Sequence, residues 1–88
     1  MNIIYTTQFK KDYKKIKKQN KDLGKFRVLI EKLSVGEKLD SFYKDHLMSG
    51  RWKKHRNCFI EPDWILIYRM TKEDLILERM GSHSELFK

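Results

Sequence analysis

The sequence predicts an α+β fold in the order β-α-α-β-β-β, with two N-terminal helices packed on one face of an antiparallel sheet. Three observations predict it. Two apolar stripes at helical spacing occupy residues 1–40. Short apolar or alternating segments, split by turn residues, fill the remainder. No linker, repeat or low-complexity block divides the 88 residues, a length that suits one domain spanning 1–88.

Asn2–Thr6 is a short segment of strand-favouring residues. Thr6 or Thr7 can cap the helix that follows, because a hydroxyl accepts from the orphan N–H groups of a first turn. Phe9, Tyr13 and Ile16 then fall on one helical stripe. Seven lysines between Lys10 and Lys21 take most of the remaining positions. A second helix is expected from about Asp22, with Leu23, Phe26, Ile30 and Leu33 as its stripe and Gly36 at its left-handed C-terminal position. Glu37–Gly50 reads as an irregular connection that holds Asp45 and His46. Arg51–Glu61 alternates, with Cys58 and Ile60 toward the core, although Lys54 and Arg56 imply a bulge or an exposed beginning. Glu61-Pro62-Asp63-Trp64 is a turn, since proline presets φ and cannot donate to a ladder. Strands Trp64–Met70 and Leu75–Met80 flank a polar turn at Thr71–Asp74. Gly81 ends the last strand, Ser82–Phe87 is a tail, and the sheet face away from the helices is expected to be open.

Composition restricts the function classes. Twenty Lys+Arg against twelve Asp+Glu give +8, which favours a polyanionic partner. Residues 1–40 carry +6 of this and residues 41–88 carry +2. A second basic segment, Arg51 to Arg56 with Lys53, Lys54 and His55, joins the lysine-rich helix as a phosphate-binding signal. The longest apolar runs, such as Trp64–Tyr68, are too short to span a bilayer, and the N-terminus has no secretory pattern, so no membrane partner is expected. A single cysteine, Cys58, excludes an internal disulfide and points to a reduced, cytoplasmic setting. No P-loop, nucleophile elbow or HExxH pattern is present, and no His/Cys spacing suits a metal site, so no metal or other cofactor is expected.

The side chains able to carry chemistry are few. His46, His55 and His83 can exchange protons near neutral pH, and each can equally be a solvated structural histidine. Asp63 sits at a turn tip, where a carboxylate commonly just holds the turn. Arg79 ends an apolar strand, either snorkelling to water or offering its planar fork to a phosphate. Trp64 and Phe87 suit packing better than base stacking.

Asp45-His46-Leu47, Gly50 with Trp52-Lys53, the run Arg56-Asn57-Cys58-Phe59-Ile60-Glu61-Pro62-Asp63-Trp64-Ile65-Leu66-Ile67-Tyr68, and Glu78-Arg79 followed by Gly81-Ser82-His83-Ser84-Glu85-Leu86-Phe87 together resemble the YafQ-type toxins of the RelE/ParE superfamily of bacterial toxin–antitoxin modules. The I-E-P-D-W and G-S-H-x-x-L-F strings are the specific part, and the resemblance spans essentially the whole chain. It implies a RelE-like toxin that cleaves mRNA in the ribosomal A site and is neutralised by a cognate antitoxin. It places the functional residues at His46, Asp63, Trp64, Arg79, His83 and Phe87. Phe59 stands where the family usually has a histidine, and phenylalanine cannot move a proton. His55 shares Phe59's face by alternation but lies about 13 Å along the strand. The implied chemistry is metal-independent attack by the RNA's own 2′-OH. Asp63 or His46 would be the base, His83 the acid and Arg79 the phosphate stabiliser, with Phe87, Trp64, Phe59, Lys53, Lys54, His55 and Arg56 holding RNA. Two alternatives share the fold: a binding protein with weakened nuclease activity, and a poison of another target such as DNA gyrase.

Overall fold

A computed structural model describes residues 1–87. The chain runs β1 (Asn2–Tyr5), α1 (Thr7–Lys18), α2 (Leu23–Ser34), β2 (His46–Leu47), β3 (Arg56–Glu61), β4 (Trp64–Met70), β5 (Asp74–Gly81) and α3 (His83–Leu86). Single 3₁₀ turns at Ser41–Tyr43 and Gly50–Trp52 flank β2.

Both main helices begin and end as local chemistry dictates. Thr6 Oγ1 accepts from Phe9 N at 3.0 Å and donates to Glu78 O at 2.9 Å, capping α1 and tying it to β5. Asp22 Oδ1 accepts from Gly24 N at 2.9 Å to start α2. Gly36, at φ +73°, ends α2, with Glu37 N donating to Lys32 O at 2.9 Å.

The strand order is β1-β5-β4-β3-β2. The β-α-α-β-β-β order stands, with β2 as an additional short strand in the connecting segment. The expected all-antiparallel sheet is corrected in one respect, because β1 pairs parallel with β5. The two helices between β1 and the rest of the sheet are a crossover long enough to allow a parallel neighbour. Residue alternation reports which face a side chain takes, and carries no information about strand direction. Strand β3 also starts later than its alternation suggests. Gly50 at φ +67° and Lys54 at φ +73° turn the backbone left-handed, so the ladder begins at Arg56.

Phe9, Ile16, Phe26, Leu29 and Leu33 of the helices are buried against Cys58, Trp64, Leu66, Tyr68, Leu77 and Met80 of the sheet. The second sheet face differs from the expectation of an open surface. Ile65, Ile67 and Leu86 are buried there, with Met48, Trp52, Phe59 and Phe87 packed around them. The loop after β2 and the C-terminal turn fold over this face because β4 is apolar on both sides.

Candidate active site

Strand register relates several of the candidate residues across that second face. His46 of β2 is opposite Asn57 of β3, Asn57 is opposite Ile67 of β4, and Ile67 is opposite Arg79 of β5. Paired residues share a face, so these four form one row. Three strand spacings put the backbones of His46 and Arg79 about 14 Å apart. The next row is Phe59, Ile65 and Gly81, after which the chain turns into α3.

A bulge decides where Arg79 points. In a regular strand Arg79 would share the core face of Leu75 and Leu77. The register of β4 against β5 shifts at Ile67/Tyr68, leaving Glu78 as an extra residue, and Met80 takes the core position instead. Arg79 is thereby turned out of the core. Its guanidinium is held by Asp12 of α1, with Nε donating to Oδ2 at 3.0 Å and Nη2 to Oδ1 at 3.1 Å. The hydrogen bond to Asp12 is the leading reason that the Arg79 pKa lies above its ordinary value.

The proline turn and the C-terminus meet directly. Asp63 Oδ1 accepts from the backbone N of His83 at 3.0 Å. Ser82 and Glu85 form a reciprocal capping box around α3. Glu85 also pairs with Lys15 of α1. That hydrogen bond from Lys15, followed by the one from Ser82 N, holds the Glu85 carboxyl down to about 2. The His83 and Phe87 rings lie 5.0 Å apart, centroid to centroid. His83 and Asp63 are both exposed, while Phe87 is half-buried against the apolar floor.

His46 is exposed on the edge strand, and its Nδ1 donates to Lys44 O at 2.7 Å. A carbonyl can only accept, so the neutral ring carries its proton on Nδ1 and presents a bare Nε2. Phe59 is half-buried on the same face, 5.8 Å from Lys44 Nζ. His55 precedes the strand, with Nε2 3.4 Å from Glu78 Oε1 and its ring edge-on to Trp52. Lys53 and Lys54 are exposed in the turn before β3.

One expected RNA contact, Trp64, is corrected. Trp64 is fully buried beneath the helices, because it shares parity with Leu66 and Tyr68, so it packs the core. Arg56 shares the helix-side parity of Cys58, and its guanidinium pairs with Asp45, which also accepts from the Tyr68 hydroxyl. The structure adds residues that the pattern did not single out. Asn57 is buried with Oδ1 lacking a partner, and Asp12 lies under Arg79. Asp12 had a sequence signal: three residues after Phe9 and four before Ile16, it lies on the buried stripe of α1. Among the described residues no group of three or more His, Cys, Asp or Glu is arranged to hold a metal ion.

The chain matches, over residues 1–88, the family described as the bacterial toxin of type II toxin–antitoxin system, YafQ. The mRNA interferase toxin YafQ of Escherichia coli K12 is 42% identical over 87 residues, covering 98% of this chain and 95% of that protein. The E. coli DinJ–YafQ complex contains a chain of the same fold, with TM-score 0.91 and 42% identity, covering 99% and 98% of the two chains. A metal-bound toxin from Helicobacter pylori superposes with TM-score 0.93 at 37% identity, covering 99% of each chain. Fold and match define the class, a bacterial toxin of the type II toxin–antitoxin kind. Within that class, the chain belongs to the YafQ family.

Proposed function

We propose that this toxin is an mRNA interferase, an endoribonuclease that cuts mRNA on the ribosome by attack of the ribose 2′-OH on the adjacent phosphorus. The observation that carries the reading is the contact of the proline turn with the end of the chain, Asp63 with His83, beside a strand row that runs from His46 to Arg79. The edge strand supplies His46, the proline turn Asp63, and the end of the chain Arg79, His83 and Phe87.

The division of labour follows from the geometry. His46, with Nε2 bare, is suited to take the 2′-OH proton. Asp63 is the second candidate for that role and also anchors the backbone of His83. His83, exposed beside Phe87, is suited to protonate the departing 5′-oxygen. Arg79 would meet the charge that builds on the phosphorane. Phe59 and Phe87 offer ring faces for bases, and Lys53 and Lys54 offer charge to the backbone phosphates. The product is a 2′,3′-cyclic phosphate. The curated relative named an mRNA interferase and the DinJ-bound relative support the same activity and a cognate antitoxin as partner. The +8 charge supports contact with ribosomal RNA, and the reaction sets the protein in the cytoplasm.

Phe59 favours a second reading, in which the same fold cuts weakly or only binds. The deciding experiment is cleavage of programmed mRNA in a translation extract. His83→Ala should lower the rate at least a hundredfold, and a substrate with 2′-deoxy at the scissile ribose should not be cut. Unchanged cutting of the deoxy substrate would sink the mechanism.

A further inference from the structure

We propose that Asp12 is a positioning residue that fixes the Arg79 guanidinium for phosphate binding, an inference that rests on Arg79 being the cation of the reaction above. Asp12 is only 7% exposed, in a helix otherwise crowded with solvated lysines. Its carboxylate is saturated. Oδ2 accepts from Arg79 Nε and from Met80 N, each at 3.0 Å. Oδ1 accepts from Arg79 Nη2 at 3.1 Å and from Gln8 Nε2 at 3.2 Å.

Two needs converge on this one side chain. Strand β1 ends opposite Leu77, so the β5 edge beyond it has no strand partner, and Asp12 accepts the Met80 N–H there. A neutral amide oxygen would meet that need. The negative charge answers the arginine. Asp12 grips the Nε–Nη2 side of the fork and leaves Nη1 without a partner among the described residues. Arg79 lines a small polar cavity of about 210 Å³ with Asp12, Lys15 and Glu85. A guanidinium held on one side, with its side chain partly exposed, meets a phosphate without first surrendering its rotational freedom. The bulge at Glu78 turns Arg79 out of the core, and Asp12 fixes the direction it then takes.

Asp12→Asn keeps an acceptor for Met80 N and removes the charge. Cleavage by this variant at saturating ribosome–mRNA complex is expected to fall about 10–100-fold, with the half-saturating concentration within about threefold of native. Asp12→Asn combined with Arg79→Ala should cut no more slowly than Arg79→Ala alone, because both changes remove one device. Loss in Arg79→Ala with native cutting in Asp12→Asn would overturn the positioning role and leave the arginine's role intact. Multiplying losses in the double variant would do the same. Full activity in Arg79→Ala would instead overturn the reading beneath it. A measurement on the native toxin guards against misfolding of the variant. The ¹⁵N-labelled Arg79 Nε–H should exchange with solvent much more slowly than that of exposed Arg51, and equal exchange would overturn the clamp.

Discussion

The side chain at position 59 sets the clearest functional question in the molecule. Phe59 is half-buried among Ile65, Ile67 and Phe87, on the face that carries His46 and Arg79. If the family's histidine moves a proton from that position, Phe59→His should raise the cleavage rate at least tenfold in a translation extract. A rate unchanged or lowered would assign the position to stacking and packing. Glu85 carries the pH signature. Its carboxyl is held at about 2, against an ordinary 4.5, by the hydrogen bonds from Lys15 and Ser82 N. A depressed acid stabilises the fold fully above its unfolded value and loses that contribution as pH falls through the folded one. Between pH 4.5 and 2, the native toxin should therefore lose stability faster than Glu85→Gln, as read by urea midpoints. Exposure of Lys15 limits the difference to about 1 kcal/mol. Parallel curves would show that the pair does not act in solution. At this scale the sequence was legible in part. Motif strings singled out His46, Asp63, Arg79 and His83; register puts His46 and Arg79 in one row, and Asp63 bonds the backbone of His83. Trp64 was misassigned, since a string does not say which side of a strand its members take.

Elements differ in how directly the chain encodes them. Helices α1 and α2 follow from stripes and caps that act within a few residues, and Thr6, Asp22 and Gly36 bound them as their chemistry requires. Strand β2 and helix α3 are shorter than any periodicity can reveal. The first exists because β3 offers it an edge, and the second because Ser82, Glu85 and the Asp63 carboxylate satisfy its N–H groups. Helix α1 presents its lysines on the side opposite its buried stripe. Replacing exposed Lys11, Lys14 and Lys18 by glutamine should weaken ribosome binding. It should also flatten the slope of log affinity against log salt by about 2–3, at roughly one counterion per phosphate contact. An unaltered slope would remove α1 from the RNA interface.

The whole molecule folds around a sheet covered on both faces, and Cys58 reports on its integrity. The thiol is fully buried, and burial pushes its pKa well above the ordinary value. Alkylation at neutral pH should therefore proceed only through opening of the β3–β4 core. Its rate should rise in parallel with the fraction unfolded as urea lowers stability. Rapid labelling in the native state would mean that the sheet opens locally at this strand. The sequence by itself determined the helices, the strand segments, the excess of positive charge and the family strings, because each is written in neighbouring residues or simple counts. Tertiary structure alone decided the parallel seat of β1, the bulge that turns Arg79 outward, the burial of Trp64 and the partnership of Asp12 with a strand 67 positions away. Local pattern specifies which side chains want burial; strand direction, register and long-range ion pairs are chosen only when all the surfaces must close on one another.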